Sequence, residues 1–184
     1  MTQTLTKVLS ARKLSIKAQS IALAVATVSA VLLPQLLHQI GAFSGLGTKL
    51  GEVFLPMHLP IILMGLLAGP IPAATAGLIS PLISFALSGM PSAAMLPFMM
   101  TELFIYGLAA GLLRNVKLPS VLKVLIAQIA GRVVRAVAIL AAVNIFDAQG
   151  IKTAAILTSI SVGLIGIILQ LVIIPLVDYR LRND

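Results

Sequence analysis

The sequence predicts an all-α integral membrane protein with six transmembrane helices and both termini on the cytoplasmic side. Three observations carry this expectation. Hydrophobic residues make up 59% of the 184 residues and charged residues only 10%, where a soluble domain carries roughly 25%, and the mean hydropathy is +1.11. The few charges stand in short stretches between apolar runs close to the roughly 20 residues that cross a bilayer. Lys and Arg are also shared unevenly between those stretches, which is the pattern that fixes membrane orientation.

Each span follows from an apolar run and its breakers. The first runs from about 20 to 40, ends at Gly41 and is followed by Gly45 and Gly47. The second covers about 53–68 and stops at Gly69-Pro70; the third, about 72–87, stops at Ser88-Gly89-Met90-Pro91. The fourth covers about 93–113 up to Arg114-Asn115, the fifth about 121–146 before Asp147 and Gly150, and the sixth about 153–177. Gly and Pro are the expected punctuation, and lipid leaves the backbone of such runs no alternative to internal helical hydrogen bonds. No linker or repeat divides the chain, so residues 1–184 read as one membrane domain.

The net charge of +8 would suggest nucleic acid for a soluble protein. Here Lys7, Arg12, Lys13 and Lys17, then Arg114, Lys117 and Lys123, and finally Arg180 and Arg182 all fall on one predicted face. Lys49 and Lys152 alone fall on the other, so the richer face is cytoplasmic and nucleic acid is excluded as a partner. The first apolar run continues past Ser29-Ala30 to Leu37, which favours a helix over a cleaved signal peptide. With no cysteine, disulfides and thiolate metal sites are excluded.

Ala18, Ala22, Ala26 and Ala30 recur at four-residue spacing, a stripe that lets another helix approach closely. The spacing leaves open whether that helix belongs to this chain or to a partner. Ser80, Ser84, Ser88 and Ser92 share the same spacing and suggest hydrogen bonds between helices. Pro56, Pro60, Pro81 and Pro97 interrupt the second, third and fourth spans and either kink them or shape a pocket.

Ionisable residues inside spans are costly and therefore informative. Glu102 falls near mid-bilayer in the fourth span, and Arg132 and Arg135 lie on adjacent turns of the fifth. His58 falls in the outer half of the second, while Glu52, His38 and Asn144 approach the outer interface. A buried carboxylate needs a cation, and the expected internal pair is Glu102 with Arg132. Arg135, about 4.5 Å further outward along the helix, then remains either to attract an anionic ligand from an outward-facing cavity or to bond helix-end carbonyls. Catalytic patterns are missing: there is no His-Glu-x-x-His helix, nucleophile elbow or phosphate-binding loop. No catalytic residue, metal or cofactor is expected, and active transport would need ATP hydrolysis by another subunit.

The segments Leu55-Pro-Met-His-Leu-Pro60 with Gly65 and Gly69-Pro70, Ser88-Gly-Met-Pro91, Thr101-Glu-Leu-Phe-Ile-Tyr-Gly107 with Gly111, Gly131-Arg132-Val133, and Gly166-Ile-Ile-Leu-Gln170 with Pro175 resemble substrate-binding S components of energy-coupling factor (ECF) transporters. The likeness spans nearly the whole chain and is greatest to the branch handling pantothenate, pyridoxine- or hydroxymethylpyrimidine-like compounds and cobalamin. It implies a non-catalytic vitamin-binding subunit in a bacterial cytoplasmic membrane, with its ligand site near the outer face. It also implies partnership with a transmembrane T component and two ATPases, and toppling in the membrane to release the vitamin. Ala22, Ala26 and Ala30 match the family's docking surface for the T component. The expected ligand site combines His58 and Arg135 as contacts, Glu102 and Arg132 as the supporting pair, and Asn144 at the outer end of the fifth span. The absence of Trp and the presence of only two Tyr disfavour thiamin or riboflavin. Pantothenate ranks first because a spare arginine suits a carboxylate, with cobalamin and vitamin B6-like ligands next. An intramembrane enzyme or a small structural or channel subunit is the alternative.

Overall fold

The computed structural model describes residues 14–146, 151 and 153–183. Lys7, Arg12, Lys13, Asp147, Gly150 and Lys152, used above to assign faces and loops, lie outside the described residues. Helix α1 is Ile16–Phe43, α2 Lys49–Phe54, α3 His58–Ala68 and α4 Pro70–Ser88. Helix α5 is Leu96–Leu112, α6 Ser120–Asn144, α7 Ala154–Val162 and α8 Leu164–Asn183. The described residues form helices and turns and contain no strand.

The local sequence explains most boundaries. Ser15 caps α1 by accepting a hydrogen bond from the Ala18 amide at 3.2 Å, satisfying one of the amides the first helical turn leaves free. Gly69, with φ 99°, separates α3 from α4, and Pro70 opens α4 where its missing amide is harmless. Two expected continuous spans are broken instead. Pro56 cannot donate into a helix ladder, and Leu55 takes a left-handed conformation with φ 49°, so α2 and α3 meet at a sharp bend. The sixth span breaks at Gly163. The breaks lie against each other: a Cβ on Gly163 would come within 2.8 Å of the Leu55 side chain, and one on Gly166 within 2.6 Å of the Phe54 carbonyl.

Among the described residues, five segments are long and apolar enough to cross a membrane: Ile16–Phe43, Lys49–Ala68, Pro70–Ser88, Ser120–Asn144 and Leu164–Leu181. The fourth expected span shortens to the 17 residues of α5. This short helix is nevertheless enclosed by α3, α4 and α6. Glycines permit that enclosure. Hypothetical Cβ atoms on Gly77 and Gly107 would approach the Leu103 and Ala73 backbones, respectively, to within 2.4 Å. Such contact of backbone with backbone is how membrane helices gain van der Waals energy without a hydrophobic drive.

The interior combines Ala26, Ala30, Met57, Ile61, Ile62, Leu66, Ala76, Leu103, Tyr106, Ala110, Val124, Ala127 and Ile174. Ala26 and Ala30 are 0% exposed, which corrects the expectation that they form a docking surface. Their small side chains instead admit α3 and α4 to α1 within the chain, while Ala18 and Ala22 remain partly exposed. Large apolar residues of α1, α6 and α8, including Leu32, Val137 and Val172, face outward, as expected where lipid replaces water.

Hydrogen bonds close the two ends of the bundle. At one, Ser120 Oγ donates to Asp178 Oδ2 at 2.6 Å, and Lys123 Nζ donates to the Arg114 carbonyl at 3.1 Å. At the other, Gln35 Nε2 donates to the hydroxyls of Ser84 at 3.3 Å and Ser88 at 2.9 Å. These last bonds link α1 and α4, the role expected of the serine series. Ser80 differs, donating back to the Ala76 carbonyl at 2.6 Å.

Candidate functional site

The end of the bundle that carries the α1–α2 and α4–α5 connections opens into a cavity of about 500 Å³. This lies within the roughly 300–1,000 Å³ typical of small-molecule sites. The bends that the sequence places in α2–α3 and α4–α5 supply much of its wall. Glu52, Leu55, Pro56, Met57 and His58 line one side; Met90, Pro91, Ser92, Met95 and Met99 line another. Helix α1 adds Pro34 and His38, α4 adds Ser84, α6 adds Arg135, and α7 adds Ala155, Thr158, Ser159 and Val162.

Beneath this cavity is a buried charged cluster. Glu102 is 0% exposed, and its two oxygens are separately engaged. Tyr106 donates its hydroxyl to Oε1 at 2.7 Å, and Arg135 donates Nη1 to Oε2 at 2.7 Å. The four-residue separation of Glu102 and Tyr106 stacks them on one face of α5. The expected Glu102–Arg132 pair is therefore corrected to Glu102–Arg135. The guanidinium further outward reaches the carboxylate, and Arg132 has no carboxylate partner among the described residues.

His58 is 2% exposed and lines the cavity at the first turn of α3. Its ring is tilted 53° against that of Tyr106, with centroids 5.4 Å apart. Nε2 lies 3.8 Å from Glu102 Oε2, too far for a hydrogen bond. Both ring nitrogens are buried without a hydrogen-bond partner. Unpaired buried polar atoms are rare in proteins, so these two nitrogens are candidates to bond a molecule held in the cavity.

Of the five residues expected to form the ligand site, the structure brings His58, Glu102 and Arg135 together. Arg132 is displaced from the large cavity and lines a smaller one beside α7. Asn144 is exposed and donates Nδ2 to the Leu140 carbonyl at 2.8 Å, which leaves it outside both cavities. The fourth expected span adds Met95 and Met99 and the fifth adds Arg135, while α7, in the sixth, adds four residues. Four of the seven methionines, Met57, Met90, Met95 and Met99, line the cavity. Met90, Met95 and Met99 follow one another after Gly89, a cluster the sequence offered as a signal, whereas Met57 joins them only through the fold. Flexible thioethers adapt to irregular shapes and make favourable contacts with aromatic rings.

The floor is supported from the far side by a chain of amides. Gln128 Nε2 donates to Gln170 Oε1 at 3.0 Å, and Gln170 Nε2 donates to the Leu55 carbonyl at 3.2 Å. This joins α6 and α8 to the bend that carries the entry into α3. No group of three or more His, Cys, Asp or Glu side chains suited to a metal occurs among the described residues.

A family model described as the ECF transporter, substrate-specific component, matches residues 16–177. No curated protein and no solved structure gives a significant match.

Proposed function

The chain belongs to the ECF transporter substrate-specific component family, and from that membership we propose that it captures a compact water-soluble vitamin in the cavity above Glu102. It is then a multi-pass membrane subunit that delivers the vitamin to a T component and two ATPase subunits in a bacterial cytoplasmic membrane. Reading the 17-residue α5 as a sixth span is supported by its packing against α3, α4 and α6. The Lys17, Lys117 and Arg180 end of the bundle faces the cytoplasm, so the cavity opens outward.

The carrying observation is His58, a buried imidazole with two unpartnered nitrogens in a cavity wall. The charge balance refines the ligand class. Arg135 is engaged by Glu102, and the other charged side chain in the wall is Glu52. Among the described residues this wall offers a carboxylate no cation that lacks an acidic partner, which moves pantothenate behind a small hydroxylated heteroaromatic ligand of the vitamin B6 or pyrimidine type. Methionine thioethers complement such a ring, and its polar substituents suit His58 and the hydroxyls of Ser84, Ser92 and Thr158. A corrinoid would exceed the enclosed volume and sit largely outside.

Equilibrium binding of a vitamin panel to the purified protein tests the reading. Saturable binding of a pyridoxine- or hydroxymethylpyrimidine-like compound is expected, with pantothenate weaker. His58→Leu should weaken that binding by about 10- to 100-fold through an unpaired buried ligand group, worth roughly 1–3 kcal/mol. Unchanged affinity in this variant would remove His58 from recognition, and failure of the whole panel would refute the vitamin reading.

Orientation has its own measurement. In cells, Ser44→Cys is expected to react with an impermeant thiol reagent supplied outside, whereas Val116→Cys should react only after the membrane is opened. Both positions are exposed in the structure. The reverse labelling pattern would invert the bundle.

A further inference from the structure

We propose that Gln170 is a positioning residue for the ligand cavity: it holds the Leu55 carbonyl to which the amide of His58 also bonds. The inference rests on the reading of that cavity as the vitamin site.

The bend between α2 and α3 has few bonds of its own. Pro56 has no amide hydrogen to give. Leu55 holds a left-handed conformation at φ 49°, which residues other than glycine keep only where their surroundings impose it. The Leu55 carbonyl has two lone pairs, and two donors reach it. The His58 amide donates at 3.1 Å, and Gln170 Nε2 donates at 3.2 Å. One oxygen therefore ties the first residue of α3, which is His58 itself, to α8. Gly166 lies one turn before Gln170 on the same face of α8. A Cβ there would meet the Phe54 carbonyl oxygen at 2.6 Å, so the bare backbone at Gly166 is what lets Gln170 reach the bend.

The direction of the amide chain sets it apart from simple adhesion between helices. A carbonyl only accepts, so Gln170 turns its amide nitrogen toward Leu55 and its oxygen toward Gln128. Gln128 answers with its own amide nitrogen at 3.0 Å, which leaves Gln128 Oε1 buried without a hydrogen-bond partner. The two residues are 3% and 1% exposed, Gln128 first. Two glutamines that served only to join α6 to α8 could satisfy each other with two reciprocal bonds. Here one donor is diverted to the bend, and an orphaned oxygen, rare among buried polar atoms, is left at the far end.

The test uses the full-length protein in detergent. His38 and His58 are the two histidines of the chain, so nitrogen-15 resonances of labelled imidazoles report on His58 directly, with His38→Gln making the assignment. Gln170→Met keeps the bulk and removes the donor. Without ligand, it is expected to displace or split the His58 resonances while the protein still unfolds cooperatively. Binding of pyridoxine and of hydroxymethylpyrimidine should weaken about 10-fold, the equivalent of one lost hydrogen bond. In a His58→Leu background the same substitution should cost no further affinity, because residues that act through one another are not additive. Gln128→Met spares the Leu55 bond but frees Gln170 behind it, and should move both readouts in the same sense by less; it carries the test where Gln170→Met fails to fold. Unchanged His58 resonances, parental affinity, or an equal loss of affinity with and without the imidazole would each overturn the assignment and leave Gln170 as a tie between helices. If the parent protein binds neither compound, the vitamin reading fails by itself, and the imidazole spectra still decide whether Gln170 positions His58.

Discussion

Glu102→Ala is expected to destabilise the protein by about 3–5 kcal/mol, the range for removing one partner of a buried ion pair. The carboxylate is fully buried and receives both the Arg135 guanidinium and the Tyr106 hydroxyl at 2.7 Å. Alanine would leave a cation and a hydroxyl together without their acceptor. The loss should appear as a lower unfolding temperature in detergent and as weaker binding of the proposed ligand, since His58 packs against Tyr106. Arg135→Ala should damage stability similarly, by leaving Glu102 unpaired. Glu102→Gln combined with Arg135→Gln should recover much of the loss, because an uncharged pair avoids the isolated buried charge. Arg132→Ala should be tolerated better than Arg135→Ala. Equal damage from the two arginine variants would contradict the observed pairing.

Gly107→Val is expected to prevent assembly of the bundle, with a cost above about 4 kcal/mol, the range that marks severe steric or electrostatic disruption. Even the first added carbon would come within 2.4 Å of the Ala73 carbonyl carbon, 2.5 Å of its oxygen and 2.6 Å of the Ala74 nitrogen. These are backbone atoms near the start of α4, so no side-chain rotation relieves the collision. Helices α4 and α5 would have to separate, taking Glu102 away from Arg135. Gly163→Ala provides the contrast. Its nearest obstacle is the Leu55 Cδ1 atom at 2.8 Å, the end of a flexible side chain, although the Ser159 carbonyl is also close at 2.9 Å. Recovery of monodisperse protein after solubilisation should fall sharply for Gly107→Val and much less for Gly163→Ala. Wild-type recovery and unfolding temperature for Gly107→Val would show that the close helix contact is not required.

The residues that could be read before folding are those whose environment depends on their own chemistry. Apolar runs marked the helices because each side chain's transfer preference adds along the chain, and Gly69-Pro70 and Ser88-Gly89 stop helices wherever they occur. For the same reason, Glu102, Arg132, Arg135 and His58 stood out as costly membrane residues. Their assignments required the third dimension. Three residues of α-helix place Arg132 and Arg135 about 60° apart around the axis, and the rotation of α6 against α5 determines which one meets Glu102. The same dependence on rotation turned Ala26 and Ala30 inward, although their spacing fitted an external contact equally well. Prolines and glycines announced interruptions, but the stacking of the Leu55 bend on the Gly163 break depends on residues more than a hundred positions apart. The sequence by itself determined a helical membrane protein with buried charges. The tertiary structure decided the pairing of Glu102 with Arg135 and not with Arg132, and the methionine-lined cavity, because hydropathy is local to each residue whereas packing distance is a property of two helices at once.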